Sequence, residues 1–348
     1  MKKVLTGGSL AALILCTLLC ALLCSLAGCG KSSSDEDGTK VSSYEIPTEY
    51  TYSFTEDGKT VNCTYSMEFE ENQFTVFVSY ESDGKYETGT LLFLLDEYGN
   101  VVREMSYGDA GVASYIYDYA YDPYGNRQMD CYHRKGSAPE ALTTYLCRGE
   151  TLYYTQYSSR NYNSYEGKMT YVYDENGRLV KRKTDYRTTT ISYDEQGNFT
   201  EQVHEYDEGE VYKTTYENTY DGNRLTAITA TEDGQRNRMT VGKYRSYKMT
   251  EGQYRCVRLL SLYMDAEIFR GTGAGSKEIC YADGTPYKRV KEDRYGNPLT
   301  VTYYLPDGDE DYTRSYGYNG DGMMGSVTIR SSAGETTLVV YPNLAFSS

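Results

Sequence analysis

From Tyr50 to Tyr341 the apolar and polar positions alternate in short runs that stop at Gly-containing turns. Tyr50, Tyr52 and Phe54 share one parity, and Phe74, Val76, Val78 and Tyr80 repeat the pattern further on. Period two places side chains i, i+2 and i+4 on one face of a strand, so these runs read as half-buried β-strands. The pattern predicts strands over 59–70, 86–95, 100–107, 114–121, 151–157, 168–173, 178–184, 187–193, 198–206, 210–220, 224–231, 238–249, 253–264, 276–282, 286–292, 298–304, 311–318, 325–330 and 335–341. The run Cys256 to Phe269 lacks clean alternation and admits a short helix, with strand the favoured reading. Gly136 to Ala141 reads as a loop and a candidate break between two lobes.

Between the strands one phrase recurs. It reads Tyr121-Asp122-Pro123-Tyr124-Gly125-Asn126, then Tyr173-Asp174-Glu175-Asn176-Gly177-Arg178, then Tyr193-Asp194-Glu195-Gln196-Gly197-Asn198, with looser copies at Asp96 to Asn100 and Asp293 to Asn297. The Asp accepts from the backbone two residues on, and the Gly supplies the positive φ that closes a hairpin. A meander of hairpins fits this spacing better than strands alternating with helices. The expected fold is therefore all-β: an antiparallel meander of repeated hairpins forming a curved or partly wrapped sheet over 46–345.

The chain begins differently. Lys2 and Lys3 precede an apolar run from Leu10 to Leu26 that ends Leu26-Ala27-Gly28-Cys29. Basic residues, an apolar stretch and small residues before a cut describe a secretory signal peptide over 1–28. The terminal Leu-Ala-Gly-Cys resembles the lipobox of bacterial lipoproteins, which implies a lipid on Cys29 and cleavage before it. The competing reading is an uncleaved membrane anchor, for which the run is short. Residues 29–45 then form a polar, flexible tether. The expected localisation is the bacterial cell membrane, lipid-anchored and outside the cytoplasm.

Composition narrows the partners. Removing residues 1–28 takes away two lysines and no acid, so a net charge of −15 becomes −17. That balance argues against nucleic acid, which needs basic surface. Aliphatic content is low, but 41 tyrosines supply a core of large amphipathic rings. Beyond the signal, Cys63, Cys131, Cys147, Cys256 and Cys280 remain, with no Cys-x-x-Cys pair. Cys131–Cys147 and Cys256–Cys280 are the most plausible bridges, and buried free thiols are an equal alternative.

The phrase, its spacing and the tyrosines together resemble the YD repeats of the RHS family over about residues 90–235 and again over about 280–322. The resemblance implies a β-rich surface array, and carbohydrate binding has been proposed for some members. The irregular spacing and short length depart from the large hollow shells of that family.

Catalytic chemistry is sparse. His133 and His204 are the two histidines, and neither lies in a nucleophile motif. Gly271 to Lys277 lacks the Walker spacing. The acids of Asp307-Gly308-Asp309-Glu310-Asp311 read as a hairpin tip, and no cofactor or resident metal is expected. The tyrosine ladder Tyr115, Tyr117, Tyr119 and Tyr121 is the candidate ligand-binding face, set against ordinary cross-strand packing. The expected function is a non-catalytic, membrane-anchored surface module that binds a glycan or protein. The alternatives are a structural, assembly or immunity-type module for a secreted partner and, third, a carbohydrate-active hydrolase using an acid pair.

Overall fold

The computed structural model describes residues 40–339 apart from 57–58, 109–112, 122–124, 136, 138–139, 149–150, 159–162, 265–266, 272, 274–278, 295–296 and 319–323. The anticipated signal peptide over 1–28, Cys29 and most of the anticipated tether over 29–45 lie outside the described residues.

Sixteen strands follow one another as an up-and-down meander: β1 (Ser42–Glu56), β2 (Lys59–Glu70), β3 (Gln73–Ser82), β4 (Lys85–Leu95), β5 (Val101–Tyr107), β6 (Ala113–Tyr121), β7 (Arg127–His133), β8 (Ala141–Arg148), β9 (Thr151–Ser158), β10 (Asn163–Tyr173), β11 (Leu179–Lys183), β12 (Arg187–Tyr193), β13 (Phe199–Tyr206), β14 (Val211–Asp221), β15 (Arg224–Glu232) and β16 (Gln235–Met249). The expectation of an open or partly wrapped sheet is corrected here, because β16 pairs with β1 and closes a barrel. The pairing runs antiparallel from Ser42 opposite Met249 to Tyr52 opposite Met239. Closure removes the two edges that an open sheet would leave unpaired.

The barrel's filling comes from α1 (Glu251–Tyr263). The run anticipated as a strand over 253–264 is this helix. Thr250 caps it: its hydroxyl accepts from Gln253 N–H at 3.1 Å, and the Gln253 side chain accepts from Thr250 N–H at 3.0 Å. Such reciprocal capping contributes about 1 kcal/mol. Val257, Leu260, Ile268 and Phe269 join Ile46, Phe74, Phe93, Leu152 and Tyr171 in one core that draws on strands around the barrel.

After α1 the chain packs a second, five-stranded antiparallel sheet against the outside of the barrel: β17 (Lys288–Glu292), β18 (Pro298–Tyr304), β19 (Glu310–Tyr318), β20 (Met324–Ser331) and β21 (Gly334–Val339). Its inner face buries Tyr287, Val301, Tyr303, Tyr312 and Val327 against Leu92, Leu94, Ile116 and Met129. Residues 276–282, anticipated as a strand, are not one where described, having an isolated bridge from Cys280 to Pro286. Two strands, β7 and β8, were not anticipated. They pair with each other across Gly136 to Ala141, so the sheet continues through that loop. Cys131, Cys256 and Cys280 carry free thiols, and neither Cys131–Cys147 nor Cys256–Cys280 forms.

Strict up-and-down order gives the recurring phrase its place. Turns that follow even-numbered strands fall at one rim, and those of Asp96, Asp174 and Asp194 are all of this parity. In each, Gly N–H donates to the Asp carbonyl at 3.0–3.1 Å, and the Asp side chain accepts from the N–H four residues on. The Tyr of the phrase has its own task. Tyr121 donates to Val101 O at 2.8 Å and Tyr193 to Leu179 O at 2.7 Å, in each case the residue just after an earlier turn of the same kind. Tyr318 repeats the contact on Pro298 O at 2.9 Å in the second sheet. The phrase thus ties one hairpin to the previous one.

Candidate functional site

The same rim is sealed. α1 crosses it from the Asp96 turn toward the Asp194 turn, and the segment after it returns past the Asp174 turn. Each anchor is the last residue of a turn. Asn198 accepts from Arg258 at 3.2 Å, Asn126 accepts from Arg270 at 2.8 Å, and Asn100 accepts from Gly271 N–H at 3.0 Å. The backbone of Gly177 accepts from Arg270 N–H at 2.9 Å. The opposite rim, built from the turns after odd-numbered strands, carries no such crossing among the described residues.

The tyrosine ladder lies inside. Tyr115, Tyr117 and Tyr119 are buried and Tyr121 is partly buried, all four projecting into the barrel core. Tyr115 and Tyr119 donate to Glu104 at 3.0 and 3.3 Å, and burial followed by the Glu104 charge pushes both phenols well above their ordinary range. Arg127 lies 4.0 Å from the Tyr119 ring centroid. Its Nε is 3.2 Å from Asp130, its Nη1 is 3.7 Å from Glu267, and Glu267 also pairs with Arg182 at 2.5 Å. Burial raises the Asp130 carboxyl to about 6 although Arg127 and Tyr145 oppose it. A cleft with an empty volume of about 280 Å³ opens between Arg127, Glu267, Phe269 and Arg270.

The other face of β6 carries a second cluster that sequence reasoning missed. Asp118 points outward, under the five-stranded sheet, and is fully buried. Arg103 forks onto it at 2.6 and 2.8 Å, and Tyr287 and Tyr312 donate to it at 2.8 and 2.7 Å. Burial pushes the Asp118 carboxyl up, but Arg103 and His133 outweigh it and hold the group well below the usual carboxylate range. Arg103 also reaches Asp311 at 2.8 Å, which places one acid of the anticipated hairpin tip in the core instead. Arg314, fully buried, lies 4.7 Å from the Tyr303 ring centroid and donates to Tyr312 at 2.9 Å. The sequence held one signal. Ile116 and Ala120 are apolar on the face opposite the tyrosines, marking a strand covered on both sides.

Asp118, His133 and Asp311 bring three ligand atoms within 4.8 Å of one another. His133 Nε2 is 3.5 Å from Asp118 and 3.4 Å from Asp311. The donor set does not fit a resident metal, because the Arg103 guanidinium already holds the same carboxylate oxygens as their cation. His204 is an inter-strand residue, 2.9 Å from the Thr189 hydroxyl, and burial followed by Arg187 and Arg182 lowers it to about 4.

Away from the docked second sheet, the outer wall is polar. On β2 the outward residues are Asn62, Thr64, Ser66, Glu68 and Glu70, while Val61, Cys63, Tyr65, Met67 and Phe69 point in. Ion pairs link neighbouring strands across this surface, Lys243 to Glu49 and Lys213 to Glu201, and Arg236 on β16 reaches over β15 to Glu217 on β14. A barrel in lipid requires an apolar outer band and commonly has a polar lumen. Here the order is reversed, and the wall is suited to water.

Fold and clusters together define a helix-capped, closed antiparallel β-barrel with a second sheet docked on its side. No family model and no curated protein matches the chain. Among solved structures it is similar to a porin-like protein from Bacteroides uniformis, with 11% identity and a TM-score of 0.29, covering 59% of this chain and 95% of that one. It is also similar to the Tc holotoxin pore of Photorhabdus luminescens, with 14% identity and a TM-score of 0.21, covering 84% of this chain and 20% of that one.

Proposed function

We propose that this chain is a non-catalytic binding module, held outside the cytoplasm by a lipid on Cys29, that takes a glycan at the open rim of its barrel. The observation that carries the reading is the distribution of exposed tyrosines. Tyr86, Tyr186 and Tyr212, the exposed tyrosines among the described residues, all sit at turns of the uncapped rim. Rings with a hydroxyl tip suit ligands that are apolar on one side and wet on the other.

The buried charged groups support a binding rather than a catalytic role. Asp118, Asp311 and Glu267 each face an arginine, and Glu104 accepts from two tyrosines. A general acid or base must instead reach substrate. A glycan array probed with the full-length protein, with reducing-end release followed on each ligand bound, tests the proposal. Saturable binding without release is expected. Binding to proteins alone, or release of sugar, overturns it.

A further inference from the structure

We propose that the tips of the β11–β12 and β13–β14 hairpins form the glycan contact, and that the glycan is a neutral one. This rests on the binding-module reading and assigns it a site. The two tips are fastened together, since Asp207 N–H donates to Tyr186 O at 3.1 Å. Tyr186 and Tyr212 are 47% and 42% exposed, against an average tyrosine in this chain that is buried or half-buried. Tyr206 stands 5.8 Å from Tyr212, ring centroid to centroid, at 84°. The Arg187 guanidinium lies between the tips, 6.0 Å from the Tyr186 centroid and 5.8 Å from that of Tyr206. Three rings and a cation therefore share one corner of the open rim.

The charges select the ligand. Arg187 Nη1 reaches the Tyr206 hydroxyl at 3.5 Å, a long contact, and Nη2 is covered with no hydrogen-bond partner. A covered donor without an acceptor costs free energy, and a ligand hydroxyl seated between the tips would supply the acceptor. An anionic ligand is opposed by Asp207, Glu208 and Glu210, all exposed on the same tip. A cationic peptide could offer backbone carbonyls to Arg187 but would bring its own positive charge against the guanidinium. A neutral sugar satisfies both sides: hydroxyls accept from arginine and donate to carboxylates, and the C–H face of the ring lies on tyrosine. Glu210 is already placed as an acceptor, 3.1 Å from the Tyr212 hydroxyl.

Full-length protein titrated calorimetrically with cellohexaose, chitohexaose and mannohexaose, and with an oligogalacturonate as the acidic counterpart, tests this. At least one neutral hexaose should bind and the acidic chain should not. The double variant Tyr186→Ala, Tyr212→Ala should lose at least tenfold in affinity at an unchanged melting temperature, because both rings are exposed. Phe77→Ala, which removes an exposed ring from the outer wall of β3 away from the rim, should bind as the parent does. Parental affinity in the double variant overturns the site and leaves the binding module standing. Preference for the acidic chain overturns the neutral assignment. Failure of every sugar to bind overturns this inference together with the glycan reading beneath it.

Discussion

Asn100 holds Gly271 across the capped rim: the Asn side-chain oxygen accepts from the Gly271 N–H at 3.0 Å, 171 residues further along the chain. Its amide nitrogen donates to Asp96 at 2.8 Å and to the Gly273 carbonyl. One side chain thus closes its own turn and fastens the cap to it. Asn100→Ala strands Gly271 N–H and a buried carbonyl, each loss worth about 1–3 kcal/mol. The expected outcome is a lower melting midpoint in urea with the strand circular dichroism retained. An unchanged midpoint would show that the cap is held elsewhere.

Gly252 tests the same contact from the helix side. Alanine in a helix is ordinarily favoured over glycine by up to about 1 kcal/mol. A Cβ at Gly252, however, would lie 2.3 Å from the Tyr98 carbonyl oxygen, a backbone atom that cannot swing aside. Gly252→Ala should therefore destabilise, by roughly 1–3 kcal/mol for an overpacked contact. Denaturant unfolding gives the sign directly, and stabilisation would mean that the helix does not touch the turn this closely.

Arg103→Met should release the second sheet. It leaves Asp118 buried without its cation, at a cost of roughly 3–5 kcal/mol. Limited proteolysis should then cut between α1 and β17 before the barrel is touched. Because Arg103 supplies the positive charge at the Asp118–Asp311 site, zinc or calcium added to the parent protein should leave its melting temperature unchanged, as should a chelator. A rise in melting temperature with either ion, lost in His133→Gln, would contradict the assignment of Arg103 as the cation.

A buried and a half-buried group should oppose each other as pH changes. Asp130 titrates at about 6 in the folded chain and near 3.9 unfolded, so the folded state holds more protons between these values. Its contribution is fully present below about pH 4 and falls as pH rises through 6, by roughly 3 kcal/mol. His204 runs the other way. At about 4 folded and near 6.5 unfolded, its contribution is present above 6.5 and lost as pH falls through 4. Stability between pH 4 and 6 should therefore be flatter in the parent than in either variant. Asp130→Asn should gain stability with rising pH, and His204→Gln should lose it; matching slopes in all three proteins would contradict both assignments.

The strands were legible because alternation survives wherever one face meets water, as on β2 and β3. The helix was hidden by expectation rather than by the residues. Thr250 and Gln253 spell a capping box, and Val257, Leu260 and Met264 repeat at helical spacing, but the surrounding array favoured strand. Barrel closure was not legible, since it depends on Ser42 and Met249 meeting over a long loop of sequence. The ladder was seen as a face, and its direction was not. Only the docked second sheet and the filled barrel make both sides of β6 interior, with the tyrosines on one and Asp118 on the other.

Hydrogen exchange on the full-length protein, with and without a saturating neutral oligosaccharide, tests the central claim most directly. Protection gained at residues 184–188 and 206–212, with the Asp96, Asp174 and Asp194 turns unchanged, is the expected result. Protection concentrated instead at those turns or along β6 would place the ligand at the capped rim or inside the barrel, and would contradict a binding surface on the open rim.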